Sequence, residues 1–351
     1  MPEIEQMNRK KSPGITVPEK LIFNSPESFQ LANGISLTVI QEGAEDVVRT
    51  EFIFPTGATD YPSYLLTSTA HKLIDSGIPG MNAEQIADTF DFYGAYIQTS
   101  VTPDHKSITL FSLSKYLGST SELAIKLISA AEYPEEEVKD HITRTIQALQ
   151  VNREKVSWIA RSHFNELIFG KNSPTGHITD EEDIRSINRT SLILNREQGY
   201  NWSNAHVIVA GKINDRELQE FIKILENIPS AGADGASAKV PDIEETTPAR
   251  LRIEKEDALQ SGVRIGRMLF NKLHPDYPGM TVVNTILGGY FGSRLMSNIR
   301  EDKGYTYGIG SAVISQLHSG TFFIASEIGK QVVDDAVKEI YLEMERLSID
   351  N

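Results

Sequence analysis

The sequence predicts an α+β protein built from two related units, and three observations support this. The stretches "GISLTVI" and "VVRTEFIF" alternate apolar and polar residues, as half-buried strands do. Pairs of residues that typically cap helices occur between such stretches. Residues 229–248 are rich in Gly, Ala, Ser and Pro without an apolar period, which predicts a linker, and beyond them the order of elements partly restarts.

The first unit opens with these two strands and continues with helices. In "LLTSTAHKLI" the apolar residues recur at helical spacing, and Gly77 follows where a helix would end. Asn82 with Gln85 is a capping pair that predicts a second helix. The stretches "AYIQTSV" and "SITLFSL" read as strands, and Ser119 with Glu122 predicts the start of a third helix.

A long helix is predicted from Pro134 to Asn152. Proline suits the first turn of a helix, and the three glutamates that follow it complement the positive end of the helix dipole. Two more capping pairs flank the predicted strand "AHVIVAG", namely Thr179 with Glu182 and Asn214 with Glu217.

The second unit has a similar but shorter order of elements. A strand at "SGVRIGRML" and a helix near "YPGMTVVNTIL" precede a glycine-rich turn, a short helix, two strands and a helix from Gln331. The sequence thus predicts four parts, which are a polar tail (1–20), a first domain (21–228), the linker (229–248) and a second domain (249–351).

The composition excludes several classes of function. The net charge of −14 would repel duplex nucleic acid, whereas it suits a cationic or unfolded peptide. The absence of cysteine excludes disulfides, thiolate catalysis and cysteine-bound zinc. No apolar run approaches the length of a membrane span. We therefore expect neither a nucleic-acid nor a membrane partner, and a cytoplasmic protein, or a periplasmic one if a leader was removed.

The most informative stretch is "LGGYFGSRLMSNIREDKGYTYGIG". Arg300 and Tyr307 are seven residues apart with Gly304 between them, so a helix end followed by a strand could bring both side chains to one point. Together they could donate hydrogen bonds to a carbonyl oxygen that gains negative charge. Spacing alone favours the simpler interpretation, in which the arginine interacts with the helix dipole and the tyrosine belongs to a strand.

The glycines before this helix have two interpretations. Gly288, Gly289 and Gly292 lack the spacing of a nucleotide-binding loop. They form either a flexible turn or, together with Ser293, a loop that lets an extended peptide approach the main chain closely.

The stretch "LGGYFGSRLMSNIREDKGYTYGIGSAV" resembles the second-domain signature of the pitrilysin and insulin-degrading enzyme family, zinc peptidases that include mitochondrial processing peptidase. The resemblance implies two related domains, each a mostly antiparallel sheet covered by helices (the LuxS/mitochondrial processing peptidase-like metallohydrolase fold). It implies that Arg300 and Tyr307 hold and polarise the scissile region of a peptide. By the plan of this family, the second domain is expected to be truncated.

The same resemblance places a degenerate zinc site in the first domain. The family carries H-x-x-E-H there, but the segment "STAHK" occupies those positions, with Ser68 and Lys72 in place of the histidine ligands and His71 in place of the catalytic glutamate. The third ligand maps to Ala148, and His141 falls on a second acidic position. A lysine ammonium would repel zinc, so we expect no metal cofactor in this chain.

These observations lead to a leading hypothesis of a non-catalytic, substrate-holding subunit. By the resemblance, the chain would pair with an H-x-x-E-H-containing zinc subunit, enclose unfolded peptides with it, and be inactive alone. Two alternatives stay open. One is a peptidase with a remodelled metal site at His71, Asp75 and His141, with His71 and Asp75 on one helix face. The other is a structural or assembly protein of the same fold.

Overall fold

The computed structural model describes Gly14 and residues 25–60, 63–230 and 249–349. The tail predicted for residues 1–20 and the linker predicted for residues 229–248 lie outside the described residues, apart from Gly14, Pro229 and Ser230. The described residues form two large sheets with helices packed on them, so the predicted α+β class is confirmed.

The described residues of the first unit form eight strands and eight α-helices. In chain order the strands are β1 (Glu27–Gln30), β2 (Ser36–Gln41), β3 (Val47–Phe54), β4 (Gly77–Ile78), β5 (Met81–Asn82), β6 (Tyr96–Val101), β7 (Lys106–Leu113) and β8 (His206–Gly211). The helices are α1 (Tyr64–Lys72), α2 (Ala83–Phe92), α3 (Leu117–Ala130), α4 (Glu135–Arg153), α5 (Val156–Phe169), α6 (Glu181–Ser186), α7 (Arg189–Gly199) and α8 (Asp215–Glu226).

Six of these strands form one sheet in the order β1-β2-β8-β3-β7-β6. All neighbours are antiparallel except β2 and β8, which are parallel. Along β3 the alternation seen in the sequence becomes alternate burial, with Val48, Thr50, Phe52 and Phe54 facing the core. The apolar face of this sheet therefore meets the helices, and the polar face is left outward.

Two of the predicted helix starts are confirmed as complete capping boxes. The Asn82 side chain accepts from the Gln85 amide while the Gln85 side chain accepts from the Asn82 amide. Asn214 and Glu217 form the same reciprocal pair at the start of α8. Both pairs satisfy amide groups that a helix leaves unpaired at its first turn.

Two other predicted starts were wrong by one or two residues. The cap of α6 is Asp180 with Asp183, and not Thr179 with Glu182, because the two aspartates form the reciprocal hydrogen bonds themselves. Helix α3 begins at Leu117, before Ser119, because a 3-10 turn at Ser114–Tyr116 leads directly into it.

Gly77 does not end α1 as predicted. The helix ends at Lys72, and Gly77 lies in β4. A Cβ at Gly77 would lie 2.9 Å from the Pro134 ring. The glycine is therefore explained by close packing against the start of α4, where Pro134 occupies the cap position and Glu135 begins the long helix.

The second unit contains a three-stranded antiparallel sheet in the order β10-β11-β9. Its elements are β9 (Gln260–Leu269), α9 (Tyr277–Asn284), β10 (Thr306–Ser315), β11 (Gly320–Gly329) and α10 (Val333–Ile349). Between α9 and β10 the chain forms two π-helical segments, Thr285–Gly289 and Met296–Asp302. The short helix predicted here is therefore present, but it is π-helical.

The second sheet repeats part of the first. Strands β9, β11 and β10 follow the same spatial order and antiparallel pairing as β3, β7 and β6. In the first unit helices separate β3 from the hairpin β6–β7, and in the second unit helices separate β9 from the hairpin β10–β11. In both units the second strand of the hairpin lies in the middle of the three, and a helix follows it. This correspondence supports the internal duplication suggested by the sequence.

Helix α5 lies between the two units. It falls in the stretch predicted as the first domain, yet its residue Phe164 makes an edge contact with Phe323 of β11, with ring centroids 6.3 Å apart. The helix also lies directly against β9, where Gly262 and Gly266 leave no space for a Cβ. The sequence reading did not predict this helix. Its packing joins the two sheets through one shared element.

Across the described residues, no helix combines the length and the apolar character needed to cross a membrane.

The glycines under α5 should be intolerant of any side chain. A Cβ at Gly262 would clash with the backbone of Val156, so we expect Gly262→Ala to lower the free energy of unfolding by about 1–3 kcal/mol. Gly279 in α9 is a matched control, since no atom lies within 4 Å of the corresponding Cβ position. Gly279→Ala should raise stability by roughly 0.5–1 kcal/mol in urea unfolding. Equal effects of the two substitutions would contradict the close packing of α5 on β9.

Candidate functional site

Tyr307 lies on a bulge in β10, at the edge of the described second sheet. The register of β10 against β11 shifts between Thr306 and Ile309. The Thr306 hydroxyl donates to the Glu327 carbonyl oxygen at 2.6 Å and accepts from the Gly308 amide at 3.1 Å, which holds the bulge in place. The Tyr307 side chain is directed into solvent and is 91% exposed. Its hydroxyl is therefore available to a ligand.

Arg300 lies near the end of the second π-helical segment. Its guanidinium carbon is 4.6 Å from the centroid of the Phe291 ring, a cation–π contact. The segment ends as predicted at Gly304, which has a φ of +64°. The Gly304 amide donates to the Arg300 carbonyl oxygen, and the Tyr305 amide donates to that of Ile299. This turn directs the chain from the arginine straight into β10.

No hydrogen bond or ion pair among the described residues links Arg300 to Tyr307 or occupies either side chain. Sequence spacing predicted that the two could converge, and the structure places one immediately before the strand and the other at its first bulge. Both side chains keep their donors available for a molecule that is not part of this chain.

The four loop residues predicted to contact a peptide divide into two groups. Gly288 and Ser293 are buried, and a Cβ at Gly288 would lie 2.6 Å from the Ser311 hydroxyl of β10. These two residues therefore serve packing. Gly289 and Gly292 are exposed, as a peptide-contacting loop requires. The ring of Tyr290 folds back over Gly292, where a Cβ would lie 2.9 Å from it.

Sequence reasoning missed the group that holds the arginine-bearing segment in place. Glu343 of α10 is 4% exposed. Its carboxylate accepts from Arg294 Nε at 2.9 Å, from Asn298 Nδ2 at 2.7 Å and from Arg346 Nη1 at 2.7 Å. Burial by itself would raise the pKa of Glu343, but these hydrogen bonds outweigh it and lower the pKa. The four-residue spacing of Arg294 and Asn298 was the available signal, since it places both on one helix face.

On the degenerate zinc helix, His71 is a core residue. Its side chain is buried, with Nδ1 2.6 Å from the Tyr200 hydroxyl and Nε2 2.9 Å from the Ser107 carbonyl oxygen. Burial lowers the pKa of His71 to about 4, and the neighbouring charge of Lys106 contributes to the lowering. His71 is therefore a neutral imidazole whose ring nitrogens both contact protein groups.

Lys106 gives this region a second unusual ionisable group. The side chain is 1% exposed, and Nζ lies 4.3 Å from the centroid of the Tyr200 ring. Burial lowers the pKa of Lys106 to about 7, although the charge of Asp60 opposes the change. An ammonium group beside His71 is unfavourable for a bound cation.

The remaining degenerate positions offer nothing to a metal ion. Ser68 donates to the Leu65 carbonyl oxygen at 3.0 Å, and Lys72 and Ala148 are exposed. His141 lies near Lys72, and its pKa is lowered by burial and then by the charges of Lys72 and Arg144. Within the described ranges, no three His, Asp or Glu side chains converge as a metal site.

The alternative of a remodelled metal site at His71, Asp75 and His141 was wrong, because it required His71 and Asp75 to share one face of a helix. Helix α1 ends at Lys72, so Asp75 is not on it. His71 is buried against Ser107 of β7, whereas Asp75 is exposed. The helix turns His71 toward the sheet and away from solvent.

Comparison with known protein families gives one match. Residues 186–351 match the family model described as the peptidase M16 inactive domain. This range contains the second sheet, Arg300 and Tyr307.

Two curated relatives are similar at low identity. One is a Bacillus subtilis protein described as the uncharacterized zinc protease YmxG, 23% identical over 77% of this chain and 66% of its own length. The other is a Helicobacter pylori protein described as the non-peptidase homolog YmxG, 21% identical over 78% of this chain and 63% of its own length. The chain thus spans just under two thirds of the length of each.

Solved structures share the fold. A crystal structure described as a peptidase M16 inactive domain from Pseudomonas fluorescens superposes with a TM-score of 0.80 at 19% identity, covering 93% of this chain and 80% of that one. A protease from Helicobacter pylori superposes with a TM-score of 0.80 at 15% identity, covering 92% and 80%.

Burial of His71 should make stability depend on pH. Its folded pKa of about 4 lies below the ordinary 6.5, so its contribution is complete above pH 6.5 and is lost as the pH falls through 4. From pH 7.5 to pH 4, we expect wild type to lose up to about 3 kcal/mol more unfolding free energy than His71→Gln. His206, which is exposed, provides the control variant His206→Gln, whose pH profile should follow wild type. Parallel profiles for all three proteins would contradict the assignment of His71.

Removing the Glu343 carboxylate should destabilise the second unit. Glu343→Ala leaves Arg294, Asn298 and Arg346 without their shared acceptor, and we expect a loss of about 2–3 kcal/mol in urea unfolding. Glu345 on the same helix is exposed, and Glu345→Ala should change stability by less than about 0.5 kcal/mol. A small effect of Glu343→Ala would show that this network does not hold the segment.

Proposed function

Because residues 186–351 of this chain match the model described as the peptidase M16 inactive domain, we propose that the protein is the non-catalytic, substrate-holding subunit of a two-subunit zinc peptidase. Its partner would carry the H-x-x-E-H motif and the zinc. This chain would bind unfolded peptides and supply Arg300 and Tyr307 to the active site of that partner.

The observation that carries the proposal is an asymmetry between the two units. In the first unit, the positions of the family's zinc helix hold Ser68, a neutral buried His71 and Lys72. In the second unit, Arg300 and Tyr307 remain available for contact with another molecule. A chain that keeps the substrate-holding pair while losing the metal donors is suited to complete the site of another subunit.

The chemistry of the pair follows from their donors. When a peptide carbonyl is attacked, its oxygen gains negative charge, and preorganised donors stabilise that charge. The Tyr307 hydroxyl offers one donor, and the Arg300 guanidinium offers a planar set with a fixed positive charge. Zinc in the partner would polarise the carbonyl and activate water. The role of this chain is to position the peptide and to stabilise the oxyanion.

Peptide binding would use the outer edge of β10. The strand order leaves one side of β10 unpaired among the described residues, next to the bulge that carries Tyr307. An extended peptide can add to such an edge through main-chain hydrogen bonds, which do not depend on its sequence. The net charge of −14 favours cationic segments.

The test is reconstitution with an H-x-x-E-H subunit encoded in the same genome. Cleavage of a fluorogenic unfolded peptide should require both chains, and Tyr307→Phe should reduce kcat/KM about 100-fold without changing heterodimer formation measured by light scattering. Tyr341, a half-exposed tyrosine on α10, supplies the control Tyr341→Phe, which should keep full activity.

Metal removal separates the roles of the two chains. Treating this chain with a chelator before mixing should leave activity unchanged, whereas treating the partner should abolish it. Activity of this chain alone would reverse the proposed roles. A heterodimer whose activity is indifferent to Tyr307→Phe and to Arg300→Ala would instead show a structural or assembly role.

A further inference from the structure

A second candidate site lies between α5 and the second sheet, on the face of the sheet opposite α10. A cavity of about 190 Å³ is present there. Its lining includes Ser157 and Ala160 from α5, Arg264 from β9, and Ala325 and Glu327 from β11. The volume suits a small molecule or a single charged side chain, and none of the residues assigned to the proposed function lines it.

Arg264 lines this cavity, and Arg161, four residues after Ser157 on α5, lies close enough for its charge to act on Arg264. Arg264 is half-buried, and its guanidinium carbon is 4.6 Å from the centroid of the Phe323 ring. Burial and then the nearby charge of Arg161 lower the pKa of Arg264. No described residue forms a salt bridge or a side-chain hydrogen bond with either arginine, and Glu327 in the lining makes no ion pair with them. Because like charges repel, two neighbouring arginines without a carboxylate partner are stabilised by an anion that binds between them.

The helix adds a further positive contribution. Helix α5 has fourteen residues, and its cap residue Lys155 makes no side-chain capping hydrogen bond. The first turn, which includes Ser157 at the cavity, therefore places the positive end of the helix dipole there. The helix dipole and both arginines favour a ligand with negative charge. The contact with the Phe323 ring orients the guanidinium of Arg264.

We propose that this cavity is an anion site that binds a small molecule carrying a carboxylate or phosphate group, held by Arg264 and Arg161 with Ser157 as a hydrogen-bond donor. A planar guanidinium pairs with two oxygens of either group at once. Because the cavity is bounded by α5 on one side and by β9 and β11 on the other, the bound anion joins the two units of the chain. It acts as a counterion for the arginine pair.

The test is binding of inorganic phosphate and of succinate to the full chain, measured by titration calorimetry at constant ionic strength. We expect saturable binding of at least one of them, weakened at least tenfold by Arg264→Gln and by Arg161→Gln. Arg216 on α8, which is 87% exposed and paired with Glu220, supplies the control Arg216→Gln, whose affinity should equal wild type. The stronger of the two probes identifies the ligand group as phosphate or carboxylate.

A second measurement keeps the test valid if Arg264→Gln does not fold. Arg161 is exposed, so Arg161→Gln should fold normally. Without an anion it removes a like-charge repulsion and should raise the midpoint of thermal unfolding. With saturating anion it removes a ligand contact, so its midpoint should fall below that of wild type. The proposal is wrong if neither probe binds saturably, if the variants bind as wild type does, or if the order of the two midpoints is the same with and without anion.

Discussion

The packing of α5 on β9 is the contact on which the arrangement of this protein depends. It requires two positions without side chains, since Gly262 lies against the backbone of Val156 in α5 and Gly266 lies against the Phe164 ring. The contact covers one face of the second sheet with a helix from the first unit. The three-stranded sheet thus has helices on both faces, which buries more apolar surface than its own helices alone could cover.

The covered sheet and one buried carboxylate position the candidate site. Glu343 holds the π-helical segment on α10 through Arg294 and Asn298, and the segment in turn carries Arg300 to the start of β10. Local chain geometry then positions Tyr307, since Gly304 reverses the chain and the bulge turns the Tyr307 side chain outward. Rigid elements thus support a pair of side chains that make few contacts of their own.

Electrostatics distinguishes the two units. Around helix α1, burial and then a neighbouring lysine lower the pKa of two histidines, with Lys106 acting on His71 and Lys72 on His141, so both imidazoles are held neutral. A metal site needs the reverse, with anionic or neutral donors directed at one point. In the second unit Arg300 is half-buried with its guanidinium over the Phe291 ring, and a cationic donor of this kind suits an oxyanion or a carbonyl oxygen.

The sequence by itself determined the α+β class, the alternation of β3, the capping boxes at Asn82 and Asn214 and the helix end before Gly304, because each depends on residues close together in the chain. Only the tertiary structure decided the burial of His71, the packing role of Gly288 and the Glu343 network. These depend on contacts between residues distant in sequence, such as His71 with Tyr200 and Glu343 with Arg294. No local pattern specifies which face of a helix meets which strand.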